Sequence, residues 1–130
     1  MTPASSGDHR VERLHHAQIT VPKGAEDDAR DFYCGLLGLR EVPKPENLKK
    51  RGGFWIQLDN AQVHVGVEDG VERAATKAHV AYEVDDLESW RRTLTERGVA
   101  IVDGEQIPDH RRFEFRDPFG NRVELLQPTG

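Results

Sequence analysis

The chain is 130 residues long, 32% charged and 36% hydrophobic, with a formal net charge of −5 from 18 basic and 23 acidic side chains. That length suits one domain with its own core, over 1–130, and the absence of a basic block or an aromatic-rich basic stripe argues against a nucleic-acid partner. No apolar run is long enough to cross a bilayer, the start MTPASSGDHRVER lacks the apolar stretch of a secretory leader, and one cysteine cannot make an internal disulfide, so a cytoplasmic protein with no membrane partner is expected.

Residues 1–11 are polar and expected to be loose. RLHHAQITVP then alternates and stops at Pro22, as a strand does. AEDDARDFYCGLLG sets Ala29, Phe32, Tyr33, Leu36 and Leu37 at helical spacing, with acids in the first turn and Gly38 at the end. Cys34 falls inside this helix, beside Phe32 and Tyr33, and is expected to be a buried, inert thiol. LREV predicts a short strand and KPENLKKRGG a polar loop, in which Lys49, Lys50 and Arg51 are expected to be solvated. GFWIQL and AQVHVGV flank Asp59-Asn60, a two-residue hairpin turn.

The second half repeats the pattern. KAHVAYEV predicts a strand, and DDLESWRRTLTERG a helix with Leu87, Trp90 and Leu94 on one side and Gly98 as its stop. VAIV, RRFEF and NRVELLQ predict three more strands. Two β-α-β-β-β modules result, over about 12–70 and 76–127, and neither is large enough to bury much core alone. Matching positions in the two modules carry His16 and His79, and His64 and Glu124.

Side chains alternate across a strand, so parity sorts the faces. Ala17, Ile19 and Val21, Val63, Val65 and Val67, Val80, Tyr82 and Val84, and Val123 and Leu125 form apolar faces to lie under the helices. His16, Gln18, His64, His79, Arg122 and Glu124 fall on the opposite faces. Counting back from the hairpin turn opposes Trp55 to His64 and Gln57 to Gln62, which adds Trp55 and Gln57 to the His64 side. The same parity places His15 on the helix side. It leaves the facing of Phe113, Glu114 and Phe115 open, because the DPFG loop can carry a bulge.

Any one of these residues alone reads as an ordinary side chain on a wet sheet face. Three imidazoles and a carboxylate, drawn from the first and last strands of two repeats, read as a metal-ligand set of N and O donors. The stretches LHHAQITV, ARDFYCGLLGL, HVGVE, KAHVAYEVDD and RDPFGNRVELLQ carry a further inference. Over residues 12–127 the chain resembles the vicinal oxygen chelate superfamily, which groups glyoxalase I, extradiol dioxygenases, fosfomycin resistance proteins and bleomycin resistance proteins. The DPxGxxxE element near the C-terminus is the most specific feature.

The resemblance implies an α+β fold in which two βαβββ modules make a curved mixed sheet around a central cavity, with helices on the outer face. It also implies a divalent first-row metal ion (Zn, Ni, Co, Mn or Fe) held by His16, His64, His79 and Glu124. Bacterial glyoxalase I usually has a carboxylate where this chain has His64. His16, His79 and Glu124 alone match the two-His-one-carboxylate set of dioxygenases and fosfomycin resistance enzymes, with His64 then an acid/base. The expected activity is glyoxalase-like lyase or isomerase chemistry on a small molecule, in which Glu124 and His64 are the catalytic groups. Trp55, Gln18, Gln57 and Arg122 are the candidate pocket residues, and a homodimer is expected. Oxygenase or thiol-transfer chemistry, and non-catalytic sequestration of a drug as in bleomycin resistance proteins, are the alternatives.

Overall fold

The computed structural model describes residues 8–129. Strand β1 (His16–Val21) leads to helix α1 (Glu26–Arg30), which continues as a wider π-helical turn over Asp31–Leu36. Glu26, Asp27 and Asp28 fill the first turn of α1, where acids complement the helix dipole. The π turn departs from the plain helix expected from spacing; Leu37 N–H reaches back five residues to the Phe32 carbonyl at 3.0 Å. Strand β2 (Arg40–Val42), a 3₁₀ turn (Glu46–Arg51), β3 (Phe54–Gln57) and β4 (Gln62–Val67) complete the first module.

A short 3₁₀ turn (Arg73–Ala75) leads to β5 (His79–Glu83), α2 (Leu87–Glu96), β6 (His110–Arg116) and β7 (Arg122–Pro128). Asp86 caps α2 by accepting from Ser89 N–H at 3.1 Å. The expected strand at VAIV shrinks to one bridge, Val102 to Glu114. Val99 and Ile101 pack against the core instead. The run DGEQIPD that follows interrupts the ladder with Gly104 and Pro108.

Within the chain the strands divide into two sheets, ordered β1-β4-β3-β2 and β5-β7-β6. The outer strand of each, β1 or β5, runs parallel to the last strand of its own module, β4 or β7. The registers match: Gln18 is the partner of His64, and Ala81 is the partner of Glu124. His16 and His79 each lie two residues before that partner, so the duplication read from sequence holds to the residue.

The apolar faces meet in one cluster drawn from both modules. Val21, Tyr33, Phe54, Ile56 and Val65 of the first pack with Leu87, Leu94, Phe113 and Phe115 of the second. Asp117, from the DPFG loop, fixes how the modules dock. Its two oxygens accept from Phe119 N–H (2.9 Å), Asn121 N–H (2.8 Å), Asn121 Nδ2 (2.9 Å) and Tyr33 Oη (2.6 Å). The buried Arg73 donates to the Thr20 carbonyl (2.7 Å), which also accepts from Asn121 Nδ2 (2.9 Å). The first seven residues of the expected leader lie outside the described residues; 8–11 are exposed and without regular structure. Among the described residues no helix is long and apolar enough to cross a membrane.

Candidate functional site

On the first sheet three rings from adjacent strands lie in a row. The Trp55 and His64 rings are stacked at 3.9 Å between centroids and 2° between planes, and His64 stacks on His16 at 4.1 Å and 15°. Trp55 and His64 are directly opposed across β3 and β4, as the hairpin count predicted. Rings that stack along the direction crossing the strands stand upright on the sheet, so their rims rather than their faces point outward.

Two glycines make the arrangement possible. A Cβ on Gly53, at φ +78°, would lie 2.0 Å from the Val65 carbonyl oxygen, so only glycine lets the chain enter β3 this close to β4. A Cβ on Gly66 would lie 2.6 Å from Gln18 Nε2, so Gly66 leaves the space that Gln18 fills.

His64 is buried, at 7% exposure. Burial, together with the nearby His16, His15 and Lys44, lowers its pKa to about 4. At neutral pH its imidazole is therefore uncharged. Its Nε2 lies 2.8 Å from Gln62 Oε1, which makes Nε2 the protonated nitrogen and leaves Nδ1 with the lone pair. Gln62 Nε2 donates to Gln57 Oε1 at 2.7 Å, and Gln57 Nε2 to the Leu58 carbonyl at 2.6 Å. Gln57, expected as a pocket residue, is thus engaged in fixing the His64 tautomer through Gln62.

A cavity of about 470 Å³ opens beside the rings, and its lining includes His16, Gln18, Trp55 and His64. It also includes three residues that sequence reading set aside. His15 was assigned by parity to the helix side, but it precedes the first residue of β1, where alternation has not begun. Its Nδ1 lies 2.9 Å from His16 Nδ1. Lys44 lies in the segment read as a polar loop, and Arg51, expected to be solvated, is exposed; the 3₁₀ turn Glu46–Arg51 folds the segment so that both line the cavity. Lys44 Nζ donates to the Gly52 carbonyl at 2.5 Å and fastens the segment's two ends together. The Gly52-Gly53 pair was the available signal, since consecutive glycines mark a close approach of backbone.

The second sheet carries the other donors. His79 Nδ1 lies 3.0 Å from the Lys77 carbonyl and its Nε2 lies 3.0 Å from Glu124 Oε1. Glu124, the carboxylate at the centre of β7, is buried at 6% exposure. It also receives Arg112 Nη1 at 3.2 Å on the same oxygen. Arg122 pairs with Glu114. Register settles the facing that sequence left open: Glu114 is directly opposite Glu124, whereas Phe113 and Phe115 oppose Leu125 and Val123.

The four expected metal donors therefore form two pairs, His16 with His64 and His79 with Glu124, one pair on each sheet. Among the described residues no group of three or more His, Cys, Asp or Glu side chains stands close enough to hold a metal ion. Arg112 already supplies a positive charge to the one carboxylate of the set.

A family model described as the Glyoxalase/Bleomycin resistance protein/Dioxygenase superfamily matches residues 13–125. No curated protein matches the chain. Among solved structures, a glyoxalase family protein from Bacillus anthracis is 38% identical, with a TM-score of 0.85, covering 92% of this chain and 98% of the other. A superfamily member from Sphaerobacter thermophilus is 27% identical with a TM-score of 0.70, covering 90% of this chain and 98% of that one. TnmS3, an antibiotic binding protein from Streptomyces sp. CB03234, shares the fold at 21% identity and a TM-score of 0.69, covering 92% and 98%. From its first strand to its last, this chain belongs to the Glyoxalase/Bleomycin resistance protein/Dioxygenase superfamily.

Proposed function

We propose that this protein binds a small organic molecule in the cavity beside Trp55, His64 and His16. The observation that carries this reading is the ring stack: three parallel rings on neighbouring strands, their rims along a cavity of about 470 Å³. Such a wall is rigid, because each ring is held by the next. It also combines an apolar body with polar ring nitrogens that can orient a ligand. An antibiotic-binding protein on the same fold is consistent with a binding role.

The test uses tryptophan emission. The chain has two tryptophans, so a Trp90→Phe variant reports Trp55 alone. Small aromatic molecules that bind this variant are expected to change its emission, and Trp55→Ala to weaken their binding by about tenfold or more. Ligands that bind with unchanged affinity after Trp55→Ala would refute the proposed seat.

Metal-dependent lyase or isomerase chemistry is a second reading, favoured by the identical register of the two donor pairs. Each pair supplies half of an N and O ligand set, and both carrier strands, β1 and β5, have a free edge. A homodimer that brings the first-sheet pair of one copy to the second-sheet pair of another would complete the set. Arg112 would have to leave Glu124 for this to occur. His79 suits such a role, because Nδ1 facing a carbonyl keeps its hydrogen there and turns Nε2 toward the metal side. Once bound, a divalent ion would supply Lewis-acid stabilisation of a substrate oxygen.

Equilibrium dialysis against Mn, Fe, Co, Ni and Zn, with molar mass measured in parallel, tests this reading. Uptake is expected at one ion per paired site, lost in His79→Ala and retained in His110→Ala. If the dimer takes up none of the five ions, the metal-dependent reading is wrong.

A further inference from the structure

The ring-stack cavity is positively charged although the chain as a whole is negative. Lys44 and Arg51 line it together with His16, His64, Trp55 and Gln18, and no Asp or Glu is among its lining residues. The molecule carries five more acidic than basic side chains, 23 against 18, so a lining without a single carboxylate runs against its composition.

Among the described residues neither cation is neutralised by an ion pair. The loop's acid, Glu46, is engaged by Lys49 at 2.7 Å, and no salt bridge reaches Lys44 or Arg51 among the described residues. Glu26 of α1 accepts from Gly53 N–H at 3.3 Å and stands behind the lining residue Gly52, outside the lining itself. Lys44 is half-buried and spends one hydrogen on the Gly52 carbonyl, which fixes its ammonium at the cavity. Arg51 is exposed at the end of the 3₁₀ turn and offers a planar fork of donors. The rim of Trp55 adds the positive edge of its aromatic quadrupole.

We propose that this cavity selects a small planar organic anion, with its oxyanion between Lys44 and Arg51 and its flat body along the rims of Trp55, His64 and His16. The proposal rests on the small-molecule seat above and narrows it to a class: a compact aromatic or conjugated acid. Carboxylate and phosphonate present the same kind of oxygen edge to a guanidinium and an ammonium, so either chemistry fits the pair of cations.

Calorimetric titration of the metal-stripped protein tests it with benzoate, phenylphosphonate and the neutral isostere benzamide. At least one anion is expected to bind about tenfold or more tightly than benzamide, and less tightly as salt is raised. Lys44→Gln and Arg51→Gln are each expected to weaken the anion about tenfold. Arg97→Gln, which makes the same change in net charge outside the lining, should have no effect. Unfolding curves check that each variant is folded. If benzamide binds as tightly as the anions and all are lost in Trp55→Ala, the seat stands and its anion selectivity is overturned. If an anion binds but ignores both cation substitutions, or if neither anion binds, the anion proposal is overturned. The separate Trp55 emission experiment then decides the fate of the seat itself.

Discussion

His64 lies between Trp55 and His16 and is the ring of the stack that burial holds uncharged. Its folded-state pKa, about 4, lies below the ordinary value of 6.5, so the folded protein favours the neutral ring and the unfolded chain takes up a proton first. The associated stability is fully present above about 6.5 and is lost as pH falls from there toward about 4. Urea unfolding of the metal-free protein across that window should show a steeper acid loss than His64→Gln shows; parallel profiles would contradict it. Period-two alternation found the residues that lie within strands: His16, His64, Trp55, His79 and Glu124. It failed at His15, one residue outside β1, and it was blind to Lys44 and Arg51, which a loop brings in. Arg112, the guanidinium on Glu124, was also missed, because the register of β6 against β7 depends on a loop whose length sequence does not translate into pairing.

At the scale of elements, Gly53 allows β3 to begin against β4. Gly53 and Gly70 have nearly the same backbone angle, φ +78° and +76°, but a Cβ on Gly53 meets the Val65 carbonyl at 2.0 Å whereas one on Gly70 meets nothing within 4 Å. Gly70→Ala should therefore cost only the left-handed backbone term, about 1–2 kcal/mol. Gly53→Ala should cost several times as much, read as a far larger fall in the midpoint of thermal unfolding. Equal losses would show that β3 and β4 can separate at that end without penalty. Helices α1 and α2, and most of the strands, were legible from apolar spacing and from glycine stops. VAIV was not: its apolar residues satisfy a strand pattern, but Val99 and Ile101 are used by the core, and Gly104 and Pro108 end the pairing. Similarly, Asp117 of the DPFG loop looks like a turn signal. In the fold Asp117 is a buried four-bond hub that joins that loop to Tyr33 of the other module.

For the molecule as a whole, duplication was visible in sequence because it preserves periodicity, and it predicted which residues share a face. Pattern alone does not reveal how two modules are placed in space. The expectation of four donors around one point assumed that both site faces curve about a common centre, whereas the chain holds them as two pairs on two sheets. The two sites also differ in charge. The first-sheet cavity has cations and no carboxylate, and on the second sheet Glu124 and Glu114 are already matched by Arg112 and Arg122. Unmatched charge beside a rigid ring wall is where an added ligand gains most, which favours the first sheet as the binding seat. The most direct measurement is a crystal structure of the protein with benzoate. The carboxylate is expected within about 3 Å of Lys44 Nζ or the Arg51 guanidinium, with the ring along the rims of Trp55, His64 and His16. Benzoate bound instead in the apolar cavity of Leu37, Tyr82 and Trp90, with the ring-stack cavity holding only solvent, would contradict the assignment.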